Sequence, residues 1–359
     1  MGSMARRNSW LAATMGAVLV IAACGGGSTG GATTAPSVAA SAAADPNVLP
    51  KPELTKIRIG ISSPTEPVGF ATKLADYLGL YQKYGLTAEI TGFEGEGKAN
   101  QALVAGQLDM IVGGASSTIN SVLTDTPRKI VAMISTTLTD GLYCTKDIKT
   151  PAEVKGKSLA IGSFGSTAHG SALLMLKGIG LTPKDVTITQ IGNEGTRIAA
   201  LKAGSVGCAV IDMSQEPTLK PLNFNILIDL SKAKLQWGRS GLQAQTDFIA
   251  KNPNTVLVVV ATTLLAQNSM WTDTPTATAK FAEFTQIKPE AAATAINAFL
   301  TYGSRSMMFT ADAFAAPRDV LAAVNPAVAN VDVTKAFDLS FLNKLKDSGF
   351  YAKNKIPLE

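Results

Sequence analysis

Asn100-Gln101-Ala102-Leu103-Val104-Ala105-Gly106-Gln107-Leu108-Asp109 and Ile198-Ala199-Ala200-Leu201-Lys202-Ala203-Gly204-Ser205-Val206-Gly207 follow one plan. Each reads as a helix closed by Ala-Gly, then a turn, then the start of a buried strand. The glycine supplies the left-handed residue at which many helices end. One unit occurring twice predicts two similar α/β lobes with a cleft between them.

The flanking sequence extends the pattern. Strand signals fall at 56–61, 87–91, 109–112 and 129–135, and again at 158–161, 186–191 and 208–211. Helical spacing falls between them, at 71–84 (stopped by Gly85), 98–105, from Ser116, at 167–177 and at 196–203. This alternation predicts an α/β fold with parallel sheets covered by helices. The part after Ala261 reads as mostly helical. Beyond the N-terminal region, Val256 to Leu265 is the most apolar run, and it is too short to span a bilayer.

The N-terminus has the parts of a secretory signal. Arg6 and Arg7 form a basic start, and Leu11 to Ala23 is apolar or small apart from Thr14. Ile21-Ala22-Ala23-Cys24 then resembles the bacterial lipobox, in which the thiol is acylated and becomes the mature N-terminus. The expectation is a signal peptide over 1–23 and a lipidated N-terminus with a flexible tether over 24–53. Gly25 to Asp45 is nearly free of large side chains, so it cannot bury enough apolar surface to offset its ordering entropy. Stable attachment needs more than one acyl chain, because each buried CH₂ contributes only about 0.8 kcal/mol. The chain is expected outside the cytoplasm, anchored at the cell membrane.

The net charge of +5 falls to +3 without Arg6 and Arg7, which is no nucleic-acid footprint. Hydrophobic residues at 46% suit a sizeable core. Catalytic patterns are missing. His169 is the single histidine; it gives no metal cluster and no triad partner at a recognisable spacing, and no cofactor motif is present. His169 itself reads as a surface or packed residue. Arg197 and Arg239 read as solvated arginines, with pairing to an anionic ligand as the alternative.

Ligands of parallel α/β sheets sit at the carboxyl ends of strands, near helix starts. That rule selects Ser63, Thr65 and Glu66 after the first strand, and Ser116 and Ser117 after the third. It selects Thr137 and Asp140 at the first crossover. In the second lobe it selects Ser163, Phe164, Ser166 and Thr167, then Asn193, then Asp212 and Met213. The Gly162–Thr167 loop is the leading anion candidate, because free N–H groups at a helix start carry partial positive charge. Helix capping by Ser166 or Thr167 is the competing reading. Phe164, Tyr143 and Trp237 are candidate pocket walls, or core.

Several stretches together resemble a known family. They are Lys56–Gly60, Leu80–Leu86, Ala102–Asp109, the helix at 170–177 with Gly180-Leu181, Glu216-Pro217 and Asp247–Pro253. Their order is similar to that in the solute-binding proteins of ABC importers for sulfonates, taurine, nitrate and thiamin-precursor pyrimidines. The family often has Asp-Ala where this chain has Gly207-Cys208. The resemblance implies a two-lobed type II periplasmic-binding-protein fold, each lobe a mainly parallel sheet, joined by two crossovers. It implies lobe I over 54–138 and 229–359, and lobe II over 139–228. It implies a monomeric, non-enzymatic receptor. Such a receptor captures a small molecule, an anion such as a sulfonate or carboxylate, and delivers it to a membrane permease. A heteroaromatic vitamin or precursor (aminopyrimidine or flavin-like) and a sensing role are the alternatives. The same fold sets the strand after the first crossover beside the one starting at Cys208. Cys144 and Cys208 are therefore either a disulfide or two buried thiols.

Overall fold

The computed structural model describes Asp45 and residues 48–358. The expected signal peptide, the expected lipidation site Cys24 and most of the expected tether lie outside these residues.

Ten strands form two five-stranded sheets. They are β1 (Lys56–Ile61), β2 (Thr87–Gly92), β3 (Met110–Gly113), β4 (Arg128–Thr137), β5 (Asp140–Cys144), β6 (Ser158–Ile161), β7 (Thr187–Gln190), β8 (Cys208–Asp212), β9 (Asn225–Asp229) and β10 (Gln236–Gln245). The first sheet has the order β2-β1-β3-β10-β4, and the second β7-β6-β8-β5-β9. The orders match strand for strand. In each sheet the fourth strand, β10 or β5, runs antiparallel to both neighbours. These are the strands on which the chain arrives from the other lobe. The sheets are thus mainly parallel, with one reversed strand each that alternation alone did not anticipate.

The two Ala-Gly units take the same shape in three dimensions. Helices Glu96–Val104 and Glu194–Lys202 end at Gly106 and Gly204, with φ of 70° and 66°. At these angles a side chain would be strained. Both ends close alike, with Gln107 N–H donating to Ala102 O (2.9 Å) and Ser205 N–H to Ala200 O (3.1 Å).

The helix expected over 71–84 is two pieces, Pro67–Tyr77 and Leu80–Lys83, broken at left-handed Gly79. Pro253–Thr272 is long and apolar enough to cross a membrane, but most of it is buried in the first lobe's core, among Val256, Val259, Val260 and Leu264. The fold is anchored slightly before Leu54. Glu53 accepts the N–H groups of Asn254 (2.9 Å) and Thr255 (2.7 Å), orphan donors at that helix's start.

In the second lobe Cys144 and Cys208 face each other across β5 and β8 and are joined as a disulfide.

Candidate functional site: a charged cleft between the lobes

The carboxyl ends of β1 and β3 meet those of β6, β7 and β8 across the interface. A cavity of about 60 Å³ remains between them. Ser63 and Glu66 line it from the first lobe, and Asp140, Ser166, Thr167 and Asn193 from the second. Glu96, Arg197 and Arg239 complete its wall.

Glu96 opens its helix and is buried. Its carboxylate accepts the N–H of Gly114 at 2.7 Å and the hydroxyl of Ser117. It also receives the N–H of Thr167, from the other lobe, at 3.4 Å. The helix start expected to hold a ligand anion therefore holds the chain's own anion, which is what its partial positive charge favours. Glu194 repeats the arrangement in the second lobe. It opens the equivalent helix, is buried, and accepts the N–H of Asp212. In both lobes the donor lies eighteen residues beyond the glutamate.

Arg239 ties the lobes together. Its Nη2 lies 2.6 Å from Glu66 Oε2 and 2.6 Å from Asp212 Oδ2, with Asp140 Oδ1 at 3.7 Å. Glu66 belongs to the first lobe and the two aspartates to the second. Asp140 also accepts the Ser171 hydroxyl, and Asp212 that of Thr139. Burial lowers the guanidinium's proton affinity, but Asp212, Glu66 and Asp140 outweigh it and hold Arg239 firmly charged. Burial raises the Glu66 carboxyl, and Asp212 and Asp140 add to the rise against the pull of Arg239. Burial, then the charges of Glu66 and Asp212, push Glu194 well above the usual carboxylate range.

Arg197 and Arg239 are thus buried, not solvated, at 6% and 7% exposure. Arg197 donates to two backbone carbonyls, Val210 O at 2.8 Å and Gly192 O at 2.7 Å. The sequence carries no signal of this burial, because a buried guanidinium is rare unless paired and the partners are remote in sequence. Arg239 moreover lies on β10, Gln236-Trp237-Gly238-Arg239-Ser240-Gly241, whose polar residues and glycines hide a strand pattern. Glu96 has no distinctive sequence signal either, because an acidic first turn is ordinary on a surface helix.

Several expected contacts lie elsewhere. Ser116 is fully buried outside the cavity wall, and Ser117 serves Glu96. Ser166 caps its helix, accepting the His169 N–H at 3.4 Å and donating to Ser163 O at 2.7 Å. Ser163 faces Gly97 instead of the cavity. Asn193 lines the cavity and also caps, accepting the Thr196 N–H at 3.0 Å. Thr137 ends β4 opposite Gln236. The Thr65 carbonyl accepts from Gln215 at 3.4 Å across the lobes. Asp212 is fully buried beneath Arg239. Met213 receives the Tyr143 hydroxyl at its sulfur, at 3.4 Å. Tyr143 and Trp237 are core residues, and Trp237 packs over Gly170. Phe164 is 57% exposed and edge-on to His169 at 5.2 Å. Both line a separate open groove of about 1000 Å³, which also takes in Val104, Arg128 and Val324. His169 is packed, its Nδ1 accepting the Gly165 N–H at 3.1 Å.

Among the described residues no group of three or more His, Cys, Asp or Glu side chains is arranged to hold a metal ion.

Two matched α/β lobes closing on one polar cleft define the fold of periplasmic binding proteins. The chain belongs to the NMT1/THI5 like family, whose model matches residues 70–286. A comparison with curated proteins gave no match. Solved structures share the fold. A Bordetella bronchiseptica RB50 protein is 21% identical with a TM-score of 0.73, over 83% of this chain and 99% of that one. The periplasmic aliphatic sulphonate binding protein SsuA of Escherichia coli is 19% identical with a TM-score of 0.60, over 81% and 99%. The periplasmic nitrate-binding protein NrtA of Synechocystis PCC 6803 is 14% identical with a TM-score of 0.66, over 86% and 92%. The fold also serves a desulfurization enzyme, DSZB, at 14% identity.

Proposed function

We propose that this protein is the extracytoplasmic solute-binding component of an ABC importer, held at the membrane by lipid on Cys24. It captures a small organic solute between its lobes and presents the closed form to a permease. The observation that carries this reading is the placing of charged groups from both lobes around one cleft: Glu66 and Arg239 from the first, Asp140 and Asp212 from the second. A solute drives closure only if it gains contacts with both lobes in the closed form. Groups arranged in this way supply such contacts.

The anionic solute expected from the helix start fits this cleft poorly. Glu96 already occupies that helix start, and Glu66, Asp140, Glu194 and Asp212 outnumber Arg239 and Arg197. Burial already raises the Glu66, Asp140 and Glu194 carboxyls, and a buried anion beside them would raise them further, whereas a cation or a nitrogen donor would favour their charged form. Of the solute classes considered, nitrogen bases such as aminopyrimidines suit it better than sulfonates or carboxylates.

A thermal-shift screen tests the reading, using taurine, alkanesulfonates, aromatic carboxylates, aminopyrimidines and riboflavin. Saturable stabilisation by one class supports a receptor. No shift with any class, together with turnover of one of them, would point to an enzyme.

A further inference from the structure

The two sheets share one strand order, but the loops that follow β1 and β6 open their helices differently at the cleft. The loop from β1 to its helix runs from Ile61 to Pro67, and the loop from β6 to its helix from Ile161 to Thr167, at equal length. In the second lobe the helix begins with Thr167, whose N–H meets Glu96. In the first it begins with Pro67, which has no N–H, preceded by Glu66. Glu194, the counterpart of Glu96, therefore finds carboxylates where Glu96 finds a donor. Its charged neighbours are Glu66, Asp212 and Arg197. Arg197 approaches Glu194 Oε1 only to 3.6 Å, its other nitrogens being spent on backbone carbonyls. Glu194 Oε2 is buried and has no hydrogen-bond partner, and so is the hydroxyl of Ser214 beside Asp212. A buried carboxylate oxygen without a donor is costly.

Resting on the receptor reading above, we infer that the solute carries a positively charged, planar nitrogen group of the amidinium or guanidinium class, which sits between Glu66 and Glu194. The site already holds one such group. Arg239 bridges Glu66 and Asp212 at 2.6 Å to each, so planar nitrogen donors suit this geometry. The carboxylates are not arranged for a metal ion. An organic cation fits the unfilled acceptor, and its charge offsets the carboxylate excess.

Isothermal titration of the full chain tests this, with methylguanidinium, acetamidinium and methanesulfonate at matched ionic strength. The cations bind, methanesulfonate does not, and Glu194→Gln weakens cation binding about ten-fold or more. Glu194→Gln keeps the acceptor for the Asp212 N–H and relieves the charge facing Glu66, so it folds. Glu66→Gln is the second variant and shows the same loss. Cation affinity unchanged in both variants overturns the inference, and so does no cation binding or tighter binding of methanesulfonate. An anion that binds and closes the lobes would leave the receptor standing and remove only the solute class.

Discussion

Glu96 and Glu194 do the same work in different lobes, each accepting a backbone N–H eighteen residues ahead, yet only Glu96 reaches a donor across the cleft. The interface follows from that asymmetry. One carboxylate closes the lobes without a solute, and the other has an oxygen to spare.

Glu96→Ala leaves the donors of Gly114 and Thr167 without their acceptor. The expected loss is about 1–3 kcal/mol of stability, read by urea unfolding. Scattering in solution should also show a larger open fraction, since one tie between the lobes is gone. Unchanged stability would mean that the Glu96 contacts are incidental.

Gly114 packs closely against the second lobe. A Cβ there would overlap Thr167 Oγ1 and lie 2.9 Å from Arg239 O. Gly114→Ala should block full closure and weaken solute binding about ten-fold or more, while the open form still folds. Adding Thr167→Ala removes the overlapping hydroxyl and should restore part of the affinity. Normal affinity in the single variant would show that binding needs no close approach here.

The Cys144–Cys208 bridge closes a loop of 64 residues. On the chain-entropy account it contributes about 4 kcal/mol. The Cys144→Ala/Cys208→Ala variant should lose stability up to that amount. Two reactive thiols from this pair in unreduced, denatured protein would refute the bridge.

His169 and Glu194 act oppositely with pH. Burial pushes His169 down to about 4, against roughly 6.5 when unfolded. Its contribution is fully present above 6.5 and is lost as pH falls toward 4. Glu194 is raised by burial and by Glu66 and Asp212, so its cost grows as pH rises above the unfolded value of about 4.3. His169→Gln should therefore lose less stability than wild type between pH 7 and 4.5. The advantage of Glu194→Gln over wild type should be largest at pH 7 and shrink toward 4.5. Denaturant midpoints across this range check both signs.

The repeated Ala-Gly units and the strand–helix alternation were enough to read two lobes and a cleft, because local signals carry them. Strands β5, β9 and β10 gave no strand signal, and β5 followed only from the family resemblance. Asn225–Asp229 is short, and Gln236–Gln245 mixes glycines with Arg239, Ser240 and Gln243, which are buried only through long-range pairing. The strand-end rule reached Ser63, Glu66, Asp140, Ser166, Thr167 and Asn193 on the cavity wall. It could not tell that Ser166 and Asn193 are also caps, or that Glu96 fills the helix start, since each depends on a partner from another element.

On the receptor reading, one solute is held by both lobes at once. The most direct measurement is the radius of gyration of the unlipidated full chain by small-angle scattering, titrated with the solute that gives the largest thermal shift. Two-lobed capture gives saturable contraction in wild type. It predicts weaker binding and less contraction in Glu66→Gln, from the first lobe, and equally in Asp212→Asn, from the second. Tight binding without contraction, or binding that only one of these substitutions affects, would contradict it.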